Sequence, residues 1–196
     1  MKVKVTPSKV HGNVKIPASK SMAHRALICA SLSDGTSIVS NVTNSKDIEA
    51  TVGCMKALGA KIKQLDETTY EVTGTNLFKQ EGNITCNANE SGSTLRFLIP
   101  LAACTNAKVK FLGQGRLLQR PMDVYANEFK KQNIEFNQSD KEIIVSGNLQ
   151  AKDYVVQGDI SSQFITGFMF VLPLLNQDST LTITKPYESK SYVNLT

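Results

Sequence analysis

The feature that most constrains the fold of this chain is a pattern that occurs three times along it. Each occurrence has a short β-prone segment, a turn rich in serine and charged residues, and then a helix-forming run that is apolar on nearly every side. These helices are predicted over residues 20–31, 95–104 and 164–175. Because a helix without a polar face has to be buried, the three runs are expected to lie in the interior of one fold.

The spacing of the copies can be measured from the sequence. Arg25 and Arg96 are 71 positions apart, and so are Thr36 and Ala107. Solenoid repeats are about 20–50 residues long, so this longer period indicates a compact domain. We predict an α/β fold of repeated βαβαββ units with pseudo-threefold symmetry and buried parallel helices. The copies are expected at residues 14–74 (copy one), 82–147 (copy two) and 153–196 (copy three, incomplete).

The polar turns place cations and hydroxyl groups at the amino ends of these helices. Copy one is expected to start with a strand over Val14–Ile16, after which Lys20, Ser21 and Arg25 surround the start of the helix. A helix amino terminus has unpaired N–H groups and a partial positive charge. If the inner helices are parallel, their amino ends meet, and the turns together form a site for a phosphate or carboxylate.

Composition narrows the range of partners. The 196 residues carry a formal net charge of +5, and 41% of them are hydrophobic, which suits a folded protein with anionic ligands. There is no tryptophan, and aromatic residues do not alternate with basic ones as they do in single-stranded nucleic-acid grooves. The longest apolar run, residues 164–175, is too short for a membrane span. We therefore predict neither a nucleic-acid partner nor a membrane partner.

The cysteines and histidines do not form a metal-binding pattern. The four cysteines include no C-x-x-C pair, and there are two histidines. We predict no metal and no cofactor. Cys29, Cys54 and Cys104 lie in apolar or helical segments and are expected to be buried, unreactive thiols. Free thiols fit a cytoplasmic location.

Five blocks of the sequence together resemble the 5-enolpyruvylshikimate-3-phosphate synthase family. The first is Pro17-Ala18-Ser19-Lys20-Ser21, with Arg25-Ala26 following. The others, in the family's order and spacing, are Gly92-Ser93-Thr94-x-Arg96, Gln119-Arg120-Pro121, Ser161-Ser162-Gln163-Phe164 and Glu188-Ser189-Lys190-Ser191-Tyr192. The resemblance covers the whole chain. It implies a transferase of the shikimate pathway that moves the enolpyruvyl group of phosphoenolpyruvate to the 5-hydroxyl of shikimate 3-phosphate, for aromatic amino-acid biosynthesis.

The resemblance also implies which residues hold shikimate 3-phosphate. Ser21 and Arg25 would bind its ring and carboxylate, and Tyr192 would lie near the ring. The 3-phosphate would be bound by three serines: Ser161, Ser162 and Ser189.

For phosphoenolpyruvate, the resemblance points to Gly92 and Arg120. A glycine admits a small anion close to backbone N–H groups, and arginine offers a planar pair of donors to phosphate. Lys20, the one catalytic residue expected in this chain, and Gln163 would lie between the two substrates and touch both. Two positions depart from the family pattern: Glu90, where many members have Asn, and Ser191, where many have Pro.

By the same resemblance, this chain corresponds to the amino-terminal part of a two-domain enzyme. Residues 1–13, with a strand over Val3–Val5, would belong to the absent second domain, and residues 14–196 would form the amino-terminal domain. The main acid and base residues are expected in that second domain. We therefore expect this chain alone to bind shikimate 3-phosphate weakly and to turn over nothing, and the full-length protein to be a monomer.

Two other functions compete with this interpretation. The related enzyme that transfers enolpyruvyl to UDP-N-acetylglucosamine shares the repeated unit, but it usually has a loop cysteine where residues 112–120 have none, and Asn where this chain has Ser21. A non-catalytic anion-binding module, completed by a partner chain, is the other alternative. The reading frame after Thr196 would distinguish a module from an enzyme.

Overall fold

The computed structural model describes residues 2–196, and its elements follow the order of the three predicted copies. Copy one contains α1 (Lys20–Leu32), β1 (Thr36–Val39), α2 (Lys46–Ala57), β2 (Lys61–Gln64) and β3 (Tyr70–Thr73). Copy two contains β4 (Glu81–Asn87), α3 (Gly92–Ala102), β5 (Asn106–Leu112), α4 (Asp123–Lys130), β6 (Glu135–Gln138) and β7 (Ile143–Ser146). Copy three contains β8 (Asp153–Gln157), α5 (Ser162–Val171), β9 (Thr180–Thr184) and α6 (Lys190–Asn194).

The strands of residues 2–196 form three sheets, one for each copy. Copy one has the order β1-β3-β2, with antiparallel neighbours. Copy two has the order β4-β5-β7-β6, in which β4 and β5 are parallel. Copy three pairs β8 with β9 in parallel. The parallel pairs β4–β5 and β8–β9 each have an inner helix as their crossover, so two copies carry the predicted strand–helix–strand unit.

The prediction of a strand over Val14–Ile16 is wrong. Residues 2–19 contain neither helix nor strand, and Val14 and Ile16 are 86% and 82% exposed. Alternation predicts only that a segment can form a strand, and here no described strand pairs with it. Val3–Val5 likewise forms no strand. The assignment of residues 1–13 to a second domain stays a prediction, and Met1 lies outside the described residues.

Helices α3 and α5 pack against each other and run in the same direction. Arg96 contacts Gln163 near the two amino ends, and four residues further along both helices Pro100 faces Gly167. The start of α1 lies beside them, because the Arg25 guanidinium is 5.2 Å from the centre of the Phe97 ring. The amino ends of the three inner helices therefore gather at one end of the molecule, as predicted.

Helix α1 is less enclosed than its sequence indicates. Leu27 and Ile28 are fully buried, but Met22 is 44% exposed and Cys29 is also exposed. The prediction that Cys29 is buried is thus wrong, whereas Cys54 and Cys104 are buried as predicted. These two α1 residues are seven positions apart and share one helix face. That face is left open to solvent, which an apolar run alone does not reveal.

Serine residues begin four of the helices. The hydroxyls of Ser19, Ser45, Ser91 and Ser161 accept hydrogen bonds from backbone N–H groups in the first turns of α1, α2, α3 and α5. Each such cap satisfies a donor that the helix cannot pair internally. The remaining amino-terminal N–H groups of the three inner helices stay directed toward the same end of the fold.

Candidate functional site

A cluster of polar side chains joins copy two to copy three at the amino ends of α3 and α5. The Gln163 amide oxygen accepts a hydrogen bond from Nη1 of Arg96 at 2.8 Å, and its Nε2 donates to the hydroxyl of Ser93 at 2.9 Å. Gln163 is half-buried, so both ends of its amide are held. The structure thus brings Gln163 together with the Gly92 turn, as the sequence predicts.

Arg96 is packed against protein but lies at the edge of the site. Its guanidinium carbon is 5.0 Å from the centre of the Phe164 ring, and its Nε finds no hydrogen-bond partner in the described chain. Burial, and to a smaller extent the neighbouring Arg120, lowers the pKa of Arg96. Two guanidinium groups that repel each other favour an anion between them.

Gly92 and Arg120 are in direct contact across this cluster. A Cβ added to Gly92 would lie 2.6 Å from Nη1 of Arg120, so only glycine leaves room for the guanidinium. Arg120 is exposed, and together with Arg116, Gln119 and Pro121 it lines a cavity of about 310 Å³. Two of the predicted phosphoenolpyruvate-binding residues therefore lie side by side, next to an open, positively charged space.

Arg25 makes more hydrogen bonds to the rest of the protein than Arg96 does. It is 5% exposed, and its Nη1 donates to the Ser21 carbonyl oxygen at 2.8 Å. Its Nη2 donates to the carbonyl oxygen of Tyr192 at 2.8 Å, and its Nε donates to the Thr196 hydroxyl at 2.8 Å. Nη2 also lies 3.3 Å from the hydroxyl of Thr166. Arg25 thus ties the start of α1 to α5 and α6.

Lys20 lies at the first position of α1 and points toward α2. Its Nζ is 2.5 Å from a carboxylate oxygen of Asp47, while its side chain remains 56% exposed. An exposed ion pair of this kind contributes only about 0–1 kcal/mol to stability. The pair orients the ammonium group without burying it, so Lys20 stays accessible to a ligand.

The predicted phosphate-binding serines lie at the starts of α5 and α6. Ser161 caps α5, and Ser162, at its first position, is nearly buried. Ser189 begins α6 in a left-handed conformation with φ of 52° and makes no side-chain capping bond to the helix. Tyr192 exposes half of its side chain, and the contact that it makes with Arg25 comes from its carbonyl oxygen.

The arginines of this protein are concentrated at this end of the molecule. The chain has four arginines, Arg25, Arg96, Arg116 and Arg120, and all four lie in the two clusters or in the adjoining cavity. Its lysines, in contrast, are spread over the surface of every copy. Arginine is the residue that binds carboxylate and phosphate through paired donors. The concentration of arginine therefore indicates an anion site.

A larger cavity among the described residues does not have this chemistry. A cavity of about 490 Å³ lies beyond the carboxyl end of α5, lined by apolar residues such as Leu172 and Leu175 together with Asp178. It contains no arginine or lysine among its lining residues, so it does not suit an anion. Glu90, a departure from the family pattern, lines a third cavity with Asp47 and Gln114, and its carboxylate lies over Gly115.

Sequence reasoning missed three residues that hold the site together. The first is Asp47, the partner of Lys20. Thr166 and Thr196 contact Arg25 from distant parts of the chain. A carboxylate in the first turn of a helix is usually explained by the helix dipole, and pairing over such sequence distances leaves no local signal.

The fold of this chain is shared with proteins of known structure. Among solved structures, EPSP synthase of Acinetobacter baumannii superposes with a TM-score of 0.76 over 93% of this chain and 42% of its own, at 17% identity, which shows a shared fold. No helix in residues 2–196 is long and apolar enough to cross a membrane.

Relatives found by sequence are more similar to this chain than that structural neighbour is. The 3-phosphoshikimate 1-carboxyvinyltransferases of Clostridium perfringens strain SM101 and Clostridium kluyveri are each 47% identical to this chain over 100% and 99% of its length. The chain spans about half the length of these relatives, 46% in each case. The model of the family described as EPSP synthase (3-phosphoshikimate 1-carboxyvinyltransferase) matches residues 5–196. This chain belongs to the EPSP synthase family.

Proposed function

We propose that this chain supplies the substrate-binding face of an enzyme that transfers the enolpyruvyl group of phosphoenolpyruvate to the 5-hydroxyl of shikimate 3-phosphate. Both substrates are small and multiply charged anions. The observation that carries the proposal is the meeting of Gly92, Arg96, Arg120 and Gln163, from three separate segments, at the amino ends of α3 and α5. Support for this choice of substrates comes from the family and from the names of the relatives.

Phosphoenolpyruvate is assigned to the Arg120 side of the site. Arg120 offers exposed donors beside the cavity that it shares with Arg116, and Gly92 leaves space for a close approach. The amino end of α3 adds a partial positive charge there. Donors that are already in place favour the departure of phosphate, because they stabilise the negative charge that develops on it.

Shikimate 3-phosphate is assigned to the Arg25 side, between α1, α5 and α6. Ser161, Ser162 and Ser189 would bind its phosphate, and Ser21 and Arg25 its ring and carboxylate. Arg25 already donates to the carbonyl oxygen of Tyr192 and to Thr196. A carboxylate that pairs with two Arg25 donors has to replace at least one of these contacts, because four of the five N–H groups are engaged, so we expect α6 to shift when the ligand binds.

Lys20 is the residue of this chain that we assign to catalysis. Its exposed ammonium group, held by Asp47 beside the start of α1, would contact both substrates and offset negative charge during addition. The reaction also has to protonate the methylene carbon of phosphoenolpyruvate and to remove a proton from the attacking hydroxyl. We assign those steps to a second domain and propose a monomeric cytoplasmic enzyme as the whole protein.

Calorimetry with shikimate 3-phosphate tests the proposal. We expect binding to the 196-residue chain, and a loss of affinity of about 10- to 100-fold in Arg25→Ala, because one charge-assisted hydrogen bond is worth about 1.5–3 kcal/mol. Lys63→Ala removes one positive charge from an exposed position on β2 and is the matched control, with unchanged affinity expected. Circular dichroism checks that both variants are folded.

A second titration addresses phosphoenolpyruvate in the presence of shikimate 3-phosphate. Arg120→Gln is expected to weaken this second ligand about tenfold and to leave the first unchanged. Tighter binding of UDP-N-acetylglucosamine than of shikimate 3-phosphate would contradict the proposed substrate. Release of phosphate from the two substrates by this chain alone would contradict the assignment of the main acid and base residues to another domain.

A further inference from the structure

A chain of buried polar side chains lies directly beneath the candidate site and crosses from α1 through α2 to α3. Nδ1 of His24 is 2.7 Å from the hydroxyl of Thr51, which is 2.7 Å from the hydroxyl of Thr94. His24 is 1% exposed, and Thr51 and Thr94 are fully buried. A buried polar group without a hydrogen-bond partner raises the free energy of the folded state. Which hydroxyl donates and which accepts along this row of side chains therefore matters for the structure.

The order follows from counting protons at Thr94. Its hydroxyl has one proton and three neighbours: Thr51 at 2.7 Å, Ser91 at 2.7 Å and the backbone carbonyl oxygen of Asp47 at 3.3 Å. Thr94 donates this proton to Ser91 and, at the longer distance, to the carbonyl oxygen, so at its contact with Thr51 it can only accept, and Thr51 donates to it. Thr51 then has no proton left for His24 and has to accept from it.

This count determines the state of the imidazole. Nδ1 of His24 carries the proton, and Nε2 is an unprotonated nitrogen. Nε2 has no hydrogen-bond partner among residues 2–196, and an unmet lone pair in an apolar surrounding costs less than an unmet cation. Burial, opposed by Asp47 and reinforced by Lys20 and Arg25, lowers the pKa of His24 from 6.5 to about 4, in agreement with a neutral ring.

We propose that His24, Thr51 and Thr94 are positioning residues that fix the first turn of α2 against the starts of α1 and α3. The carbonyl group at the end of this chain belongs to Asp47, whose carboxylate holds Lys20. Ser91, the other neighbour of Thr94, caps α3 immediately before Gly92. The network therefore sets the distance between Lys20 and the Gly92 turn. Its effect on a ligand rests on the function proposed above.

Long-range nitrogen NMR of His24 in the 196-residue chain tests the proton order without any ligand. We expect Nδ1 to be the protonated nitrogen at neutral pH. In Thr94→Val, the Thr51 proton loses its acceptor and turns to His24, so a shift toward the Nε2-protonated tautomer is expected. Thr51→Val serves as a second variant in case Thr94→Val does not fold. A wild-type ring protonated at Nε2, or an unchanged tautomer in folded variants, would overturn the network.

Affinity for shikimate 3-phosphate tests the positioning role. We expect a loss of about three- to tenfold in Thr94→Val and recovery in Thr94→Ser, which restores the hydroxyl. Thr105→Val is the matched control, because Thr105 is also buried and bonds only to backbone near its own position. A changed tautomer with wild-type affinity would overturn the positioning role. Absence of binding by the wild-type chain would count against the proposed function, while the tautomer would still test the network.

Discussion

Arg25 and Arg96 lie in the second turns of α1 and α3, the inner helices of copies one and two, but they differ in burial and in hydrogen bonding. Arg25 is 5% exposed and donates to carbonyl or hydroxyl oxygens of Ser21, Tyr192 and Thr196. Arg96 is half-buried, bonds to Gln163, and leaves its Nε without a partner in the described residues. An arginine in the second turn of an inner helix thus has nearly all of its donors engaged by protein in copy one, whereas in copy two its Nε has no partner in the part of the chain that the structure describes.

This difference distinguishes the two sides of the candidate anion site. On the Arg96 side the open donors are those of the exposed Arg120, so an anion can bind there with little rearrangement. Around Arg25 four of the five N–H donors are engaged, so a ligand that pairs with two of them has to compete with protein oxygens such as the Tyr192 carbonyl. Binding on the Arg25 side should therefore be linked to movement of a helix, whereas binding on the Arg96 side should not.

The Arg96 side depends on close packing of α3 on α5, and Gly167→Ala is expected to have the largest effect. The added Cβ would lie 2.1 Å from the Tyr125 hydroxyl and 2.8 Å from the backbone oxygen of Arg96. We expect a loss of about 3 kcal/mol in the free energy of unfolding, measured by chemical denaturation. In the control Gly53→Ala, the new methyl group meets nothing within 4 Å in the middle of α2, and a slight gain is expected. Equal stability of the two variants would contradict the packing.

The Arg25 side contains His24, and its burial predicts a dependence of stability on pH. The pKa of His24 is about 4 in the folded protein against 6.5 for an ordinary histidine, so the unfolded chain binds a proton first as the pH falls. The stability that neutral His24 contributes is complete above pH 6.5 and decreases by about 3 kcal/mol toward pH 4.

Denaturation of His24→Asn across this pH range measures the contribution. The variant should lose less stability than the wild type between pH 7 and pH 4. His11→Asn changes the exposed histidine and is the control, expected to follow the wild type. Parallel curves for His24→Asn and the wild type would show that His24 is not buried in its neutral form.

Replacing Arg25 or Arg96 with methionine compares how much each arginine contributes to stability on its side of the site. Arg25→Met leaves part-buried carbonyl and hydroxyl oxygens without a donor and should reduce the free energy of unfolding by about 2 kcal/mol. Arg96→Met removes one hydrogen bond together with an unmet donor, so the change should stay within about 1 kcal/mol of zero. Thermal or chemical denaturation checks both. A larger loss of stability in Arg96→Met than in Arg25→Met would contradict this difference between the two arginines.

Gly92→Ala is expected to have the smallest effect on stability. Its new methyl group would lie 2.6 Å from Nη1 of Arg120, the end of a flexible and exposed side chain that can move away. The free energy of unfolding should change by less than about 1 kcal/mol. The displaced guanidinium should nevertheless weaken phosphoenolpyruvate binding, which calorimetry would detect. A large loss of stability would show that Arg120 is fixed in place.

The sequence predicts the inner helices well because their signals are local. Apolar runs after polar turns mark α3 and α5, and serines such as Ser161 begin the helices where capping residues are expected. The polar turns also predict that Gly92 and Gln163 lie close together once the helices are parallel, whereas their role in binding, like that of Arg120, is implied by the family resemblance and stays a prediction. Local pattern and global fold agree for this part of the chain.

What the sequence does not predict depends on distant partners. Val14–Ile16 alternates like a strand but has no strand beside it, so it remains exposed. The contacts of Arg25 with Tyr192 and Thr196 join opposite ends of the chain, and the order of protons from His24 to Thr94 exists only after three helices have packed. Such pairings are set by tertiary structure, and no nearby residue indicates them.

The central claim is that the amino ends of α1, α3 and α5 form one anion site. Amide chemical-shift mapping during titration with shikimate 3-phosphate tests it most directly. We predict that the largest shifts occur at Lys20 and Ser21, at Gly92 and Ser93, and at Ser162 and Gln163. Shifts confined to the cavity beyond the carboxyl end of α5, around Leu172 and Asp178, would contradict the claim.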